Sequence, residues 1–166
     1  MLRETLTGTA AGAVGTVALN VTTYADMAIR GCPPSSVPAE VAGKVTGKAG
    51  IDLSEEGSNG DDTAQNRRSG LGALMGYVTG LGVGTACGLV RLLLGDVSVP
   101  RVGVVLGLAA MAGSDVPATT LGVTNPAKWS FNSWASDVVP HLAYGLVTVV
   151  AHDALLNEPE KGSRNL

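Results

Sequence analysis

A glycine stands at every fourth position of one long stretch, at Gly72, Gly76, Gly80, Gly84 and Gly88 within Ser69 to Leu94, and nothing else in the chain narrows the possible folds as much. In water each interior glycine costs a helix ~1 kcal/mol relative to alanine, so this row, with Gly70 and Gly82 beside it, would melt a solvated helix. In a bilayer the balance reverses. Lipid offers backbone groups no hydrogen bonds, so a long apolar segment must be helical there, and glycines four apart open a groove for a second backbone. The stretch is therefore expected to be a membrane helix of the glycine-zipper kind. Each four-residue step overshoots a turn by ~40°, so the row winds slowly around the helix and suits a right-handed crossing. Two partners are open to it: another helix of the same chain, or a second copy. Gly80-Leu81-Gly82-Val83-Gly84-Thr85 does not read as a nucleotide loop, because the spacing is not GxGxxG and no separate strand precedes it.

Composition agrees with a membrane setting. Charged residues make up 15% of the 166 residues, against ~25% in an ordinary soluble domain. Mean hydropathy is positive but modest at +0.28 because Ala, Gly, Val and Thr supply most of the segments, which insert weakly alone and need neighbours. The net charge of −3, with acidic residues gathered between Asp52 and Asp62, leaves no basic face for nucleic acid. Cys32 and Cys87 fall at different depths and are expected as free thiols. No zinc spacing occurs, and neither a cofactor nor a metal is expected. The amino terminus lacks a basic leader and a clear cleavage site, so the first apolar segment is expected to be retained.

Four spans follow from the pattern, at about 6–27, 69–94, 102–123 and 137–156, which predicts an all-α, polytopic four-transmembrane-helix bundle forming a single membrane domain. In the first span Gly8, Gly12 and Gly15 make a close-packing ridge. Thr5, Thr9, Thr16, Asn20 and Thr23 make a neighbouring stripe of interhelical hydrogen-bond glue. The run Cys32-Pro33-Pro34-Ser35-Ser36-Val37-Pro38 should break the helix. A short amphipathic helix carrying Val37, Val41 and Val45 is then expected on the membrane surface, followed by a mobile acidic loop. Ser114-Asp115-Val116-Pro117 should interrupt the third span. Gly122 to Asp137 reads as a loop whose Trp129, Phe131 and Trp134 form an interfacial anchor.

Polar side chains converge on one leaflet in this topology. Asp137, His141, Tyr144, Thr148 and His152 recur along one face of the last span, and such a face should turn inward. With four spans, Asn20, Asp26, Arg30 and Asp115 belong to the same half of the bundle as Asp137, His141 and Tyr144. These seven residues define a candidate polar pocket beneath the aromatic loop. No catalytic residue is assigned. Asp26 and Arg30, one turn apart, also suit a plain local ion pair. Lys and Arg divide nearly evenly between the two sides; cytoplasmic termini follow from Arg91 and Arg101 flanking a very short turn.

Three segments resemble a known group. Gly12-Ala13-Val14-Gly15-Thr16, the exit Arg30-Gly31-Cys32-Pro33-Pro34-Ser35-Ser36-Val37-Pro38, and Pro140-His141-Leu142-Ala143-Tyr144-Gly145 are similar to the small bacterial inner-membrane proteins of the YagU type. The resemblance implies a four-helix, multi-pass protein of the bacterial inner membrane and carries no established activity. Three function classes remain. First stands an assembly role, in which the glycine row docks a second copy or another membrane subunit. An ion, proton or small-solute transporter using Asp115, His141 and Tyr144 comes second. A membrane-embedded metal enzyme is a distant third, since only Asp137 and His141 stand at a helical ligand spacing.

Overall fold

A computed structural model describes residues 1–54, 60–94 and 97–157. Five α-helices and one short 3-10 turn order these residues: α1 (Leu2–Arg30), α2 (Val37–Lys48), α3 (Gly60–Leu94), α4 (Val99–Thr120), the turn Pro126–Lys128, and α5 (Phe131–Asn157). No strand occurs among the described residues. Most of the expected acidic loop, the start of the turn at Gly95 and the polar tail from Glu158 lie outside the described residues. At the loop's near end, the Ser54 backbone N–H and hydroxyl both donate to Asp52 Oδ1, which holds that carboxyl below the usual range.

Local sequence explains the element ends. Gly31 closes α1 in the left-handed conformation, φ 63°, with its N–H bonded to Met27 O. Pro33 and Pro34 then forbid continuation. The α4 helix ends near Gly122, also left-handed at φ 65°. Its course differs from expectation: Ser114-Asp115-Val116-Pro117 does not interrupt it, and the helix runs to Thr120 with Pro117 inside. Pro117 leaves Gly113 O without its ladder partner, but only three residues of helix follow it, so the disruption is confined to the last turn. Likewise α5 starts at Phe131 rather than Asp137, so Trp134 and Asp137 are helical and the connection between α4 and α5 is shorter than the sequence suggests.

Among the described residues, three helices are long and apolar enough to cross a membrane: Asp61–Arg91 in α3, Val99–Thr120 (α4) and Phe131–Asn157 (α5). The fourth expected span, in α1, does not join them. At 29 residues α1 is long enough, but its six threonines and Asn20 keep its hydropathy too low. The chain thus has the make-up of a multi-pass membrane protein. Its exterior is apolar as lipid demands, with Leu74, Val78, Val105, Leu108, Val139 and Val150 exposed.

The long helix that is too polar to count as a span is packed against two that do count. α1 packs antiparallel against both α3 and α5, and α5 packs in turn on α4. A Cβ at Gly8 would meet Gly84 O at 2.6 Å, and one at Gly12 would meet Gly80 O at 2.7 Å. Gly15 faces α5 instead, beneath Tyr144 and Thr148. The glycine row of α3 is thereby divided. Gly84 and Gly88 receive α1, Gly80 receives Thr16 and Tyr144, Gly72 receives Pro38 of α2, and Gly76 alone of the five faces open space. A single continuous seam for a second copy is therefore not available, because four of its five glycines are already covered. Threonines of the α1 stripe mostly bond their own helix: Thr9 and Thr16 donate to Thr5 O and Gly12 O. Of these, Thr9 also reaches across, its hydroxyl 2.7 Å from that of Thr85.

The short helix α2 packs on α3, burying Ala39, Val41 and Ala42 while Val45 stays exposed. At 35 residues α3 is ~52 Å long, well beyond the ~30 Å hydrocarbon core, so its first turns stand clear and give α2 a place to lie. Lys44 Nζ donates to Leu121 O at 2.7 Å, a charged cap on the end of α4. Replacing Lys44 with Met should cost about 0.5–1 kcal/mol locally. It will appear as faster amide hydrogen exchange at Leu121 to Thr124, with α1 and α3 unchanged.

Candidate functional site

Within the bundle the polar residues fall into separate groups, not one pocket. The first joins α4 to α5. Asp115 and Asp137 bring their carboxyls within hydrogen-bonding reach of each other across the helix seam, and His141 faces Asp115 from one turn further along α5. His141 Nδ1 lies 2.7 Å from Asp137 O and 3.4 Å from Asp137 Oδ1. A carbonyl can only accept, so the neutral ring carries its proton on Nδ1 and keeps the Nε2 lone pair free. Asp137 Oδ2 is buried without a partner. Asp115 and Asp137 are held together by glycines two turns deeper: a Cβ at Gly107 would meet His141 O at 2.6 Å, and Gly145 is pressed against Gly103 and Gly107.

Asp26 and Arg30 form the expected ion pair at the exit of α1, and Arg30 also donates to Ser136 Oγ, fastening α1 to the start of α5. This pair is partly exposed and separate from the carboxyls. Asn20 turns toward α3, its amide 3.5 Å from Tyr77 Oη. Tyr144 is fully buried and donates to Gly80 O at 2.6 Å, tying α5 to α3. Of the seven residues the sequence places in the pocket, the structure brings together Asp115, Asp137 and His141. Asn20, Arg30 and Tyr144 instead hold helices to one another, and Asp26 pairs with Arg30 of its own helix. Among the aromatic residues, Trp129 and Trp134 meet edge to face with centroids 5.0 Å apart, and Trp129 Nε1 donates to Thr124 Oγ1. Phe131 is exposed beside them.

A second polar group lies at the opposite end, where α1 begins and α3 and α5 finish. His152 is fully buried. Its Nδ1 is 3.5 Å from Asp153 Oδ1 and its Nε2 is 3.7 Å from Glu4 Oε2. Arg91 Nη2 pairs with Asp153 at 2.7 Å, while Arg91 Nη1 and His152 Nε2 are buried without hydrogen-bond partners among the described residues. Sequence reasoning found His152 on the inward face but not this group, because Glu4, Arg91 and Asp153 each look like ordinary helix-end charges. The missed α4–α5 seam had a plainer signal in Gly103 and Gly107, a small-residue pair four apart. Among the described residues, no three His, Cys, Asp or Glu side chains are placed to hold a metal ion. The chain matches no protein-family model, no curated protein and no solved structure.

Proposed function

We propose that this protein moves protons, or a small cation in exchange for them, across a membrane. The observation that supports the reading is the Asp115–Asp137 contact inside two apolar helices, with His141 beside it and Asp137 Oδ2 unpartnered. Ionisable side chains are expensive at membrane depth and persist there chiefly where an ion pathway needs them. Two carboxyls in contact are stable when a proton or a cation lies between them, and each loss or gain of that ion is the elementary step of carriage. A free Nε2 on His141 supplies the next acceptor.

Proteoliposomes with a trapped pH dye test it. After an acid pulse the unmodified chain should acidify the lumen, and Asp137→Asn, which keeps shape and removes the charge, should slow that by about tenfold or more. Equal rates, or no flux from the unmodified chain, would sink the proposal. The resemblance to YagU-type proteins favours the bacterial inner membrane, and Arg91 and Arg101 beside a short turn favour cytoplasmic termini. An assembly reading keeps one specific support: Gly76 stands open on α3 beside exposed Leu74, Tyr77 and Val78, a remnant of the glycine zipper that a second membrane helix would fit. Crosslinking in native membranes that disappears in Gly76→Leu would favour it.

A further inference from the structure

Among the described residues, a buried imidazole faces a carboxylate that has no other charged partner. At the end of the bundle opposite Asp115 and Asp137, α1 contributes Arg3 and Glu4, α3 contributes Cys87 and Arg91, and α5 contributes His152 and Asp153. The adjoining core receives Val99 and Val102 from α4. Arg91 is engaged with Asp153, and Arg3 is turned to Leu156 O at 3.3 Å. Glu4 therefore has His152 as its facing group, with Nε2 3.7 Å away, fully enclosed and without a hydrogen-bond partner. A proton on Nε2 converts two groups that merely approach into an ion pair and gives the stranded nitrogen a role as donor.

We infer that His152, held opposite Glu4, is a second proton-binding site, serving the membrane face opposite the Asp115–Asp137 pair. The stripe on α5 connects the two. From His141 to His152 is ~16 Å along the helix, and between them lie Tyr144, Thr148 and Val149, all fully buried. Their hydroxyls are committed to Gly80 O and Tyr144 O, and Gly15 and Gly80 close on them from α1 and α3. The two sites are thus separated by a packed barrier, the arrangement in which each can exchange ions with its own side alone. The role in transfer rests on the proton-carrying reading above; occupancy of the site does not.

Nitrogen-15 histidine spectra of the full chain in detergent micelles test the site directly. The chain has two histidines, so a His141→Gln sample assigns the signals of His152. On acidification the His152 ring should become imidazolium. At the pH where half of it is charged in the unmodified chain, Glu4→Gln should reduce the charged fraction about threefold or more. Glu4→Asp keeps the charge on a shorter arm, serves if Glu4→Gln does not fold, and should give an intermediate fraction. A ring that stays neutral from about pH 9 to about pH 4 overturns the inference, as does a charged fraction unchanged in folded variants of Glu4. Vesicle flux separates this from the wider reading. No flux with a charged, Glu4-dependent His152 overturns transport and keeps the site, whereas flux with a neutral His152 does the reverse.

Discussion

Gly84→Leu will unfold the bundle under conditions in which Gly76→Leu leaves it intact, although both change the same residue type on the same helix. At Gly84 a Cβ would lie 2.6 Å from Gly8 O and 2.8 Å from Gly12 N. Both are backbone atoms that no rotamer change can move, so α1 must withdraw by about 1 Å for the Cβ alone and further for the rest of leucine. The expected loss is about 3 kcal/mol or more, a large share of a net stability of ~5–15 kcal/mol. Gly76 has nothing within 4 Å, and leucine there should change stability by no more than about 0.5 kcal/mol. Cys87, buried in the core, is a convenient reporter: its labelling rate by a thiol reagent should rise steeply in Gly84→Leu and stay slow in Gly76→Leu. Equal labelling in the two would mean that the α1–α3 seam does not run through Gly84.

Gly145→Ala should disable transport without touching a charged residue. One methyl at this position would sit 2.5 Å from Gly107 N and 2.9 Å from Gly107 Cα, closer still to Gly103 O, and would wedge α4 away from α5. Asp115 lies two turns from Gly107 and Asp137 two turns from Gly145, so a wedge there opens the gap between the carboxyls. About 2 kcal/mol of stability should be lost, and proton flux should fall about tenfold in the fraction that remains folded. Gly113→Ala on α4 is the comparison, since its Cβ would meet a movable side-chain methyl, Thr79 Cγ2, at 3.0 Å. That change should cost less than about 1 kcal/mol and leave flux unaltered. Flux surviving in Gly145→Ala would mean that the carboxyl contact does not set the rate.

Much of the fold could be read in the residues because its signals are local. Glycine spacing pointed to a membrane helix, and α3 is a helix long and apolar enough to span; the prolines after Cys32 marked where α1 stops. What failed depended on tertiary context. The proline at 117 reads as a break but stands three residues before the end of α4, so its effect stays in the last turn, and Asp137 reads as a helix start although Ser130 and Ser133 support a helix beginning six residues earlier. Partner choice was also hidden: the row in α3 has one period but meets three different helices and, at Gly76, open space, and periodicity carries no information about which element fills each gap. At the site, Asp115, Asp137 and His141 were found from depth and phase alone. The Glu4–His152 contact joins residues near opposite ends of the chain, and no spacing rule spans that separation.

Because α1 precedes α3, α4 and α5 in the chain and, unlike them, is not apolar enough to span alone, its entry into the bilayer is tied to elements synthesised after it. Its grooves fit α3 and α5, and α5 is the last helix of the described chain. The nascent protein must therefore keep α1 waiting at the insertion machinery or at the headgroup layer until α5 has been synthesised. Topogenesis in this protein is then a late, cooperative event, not a helix-by-helix one.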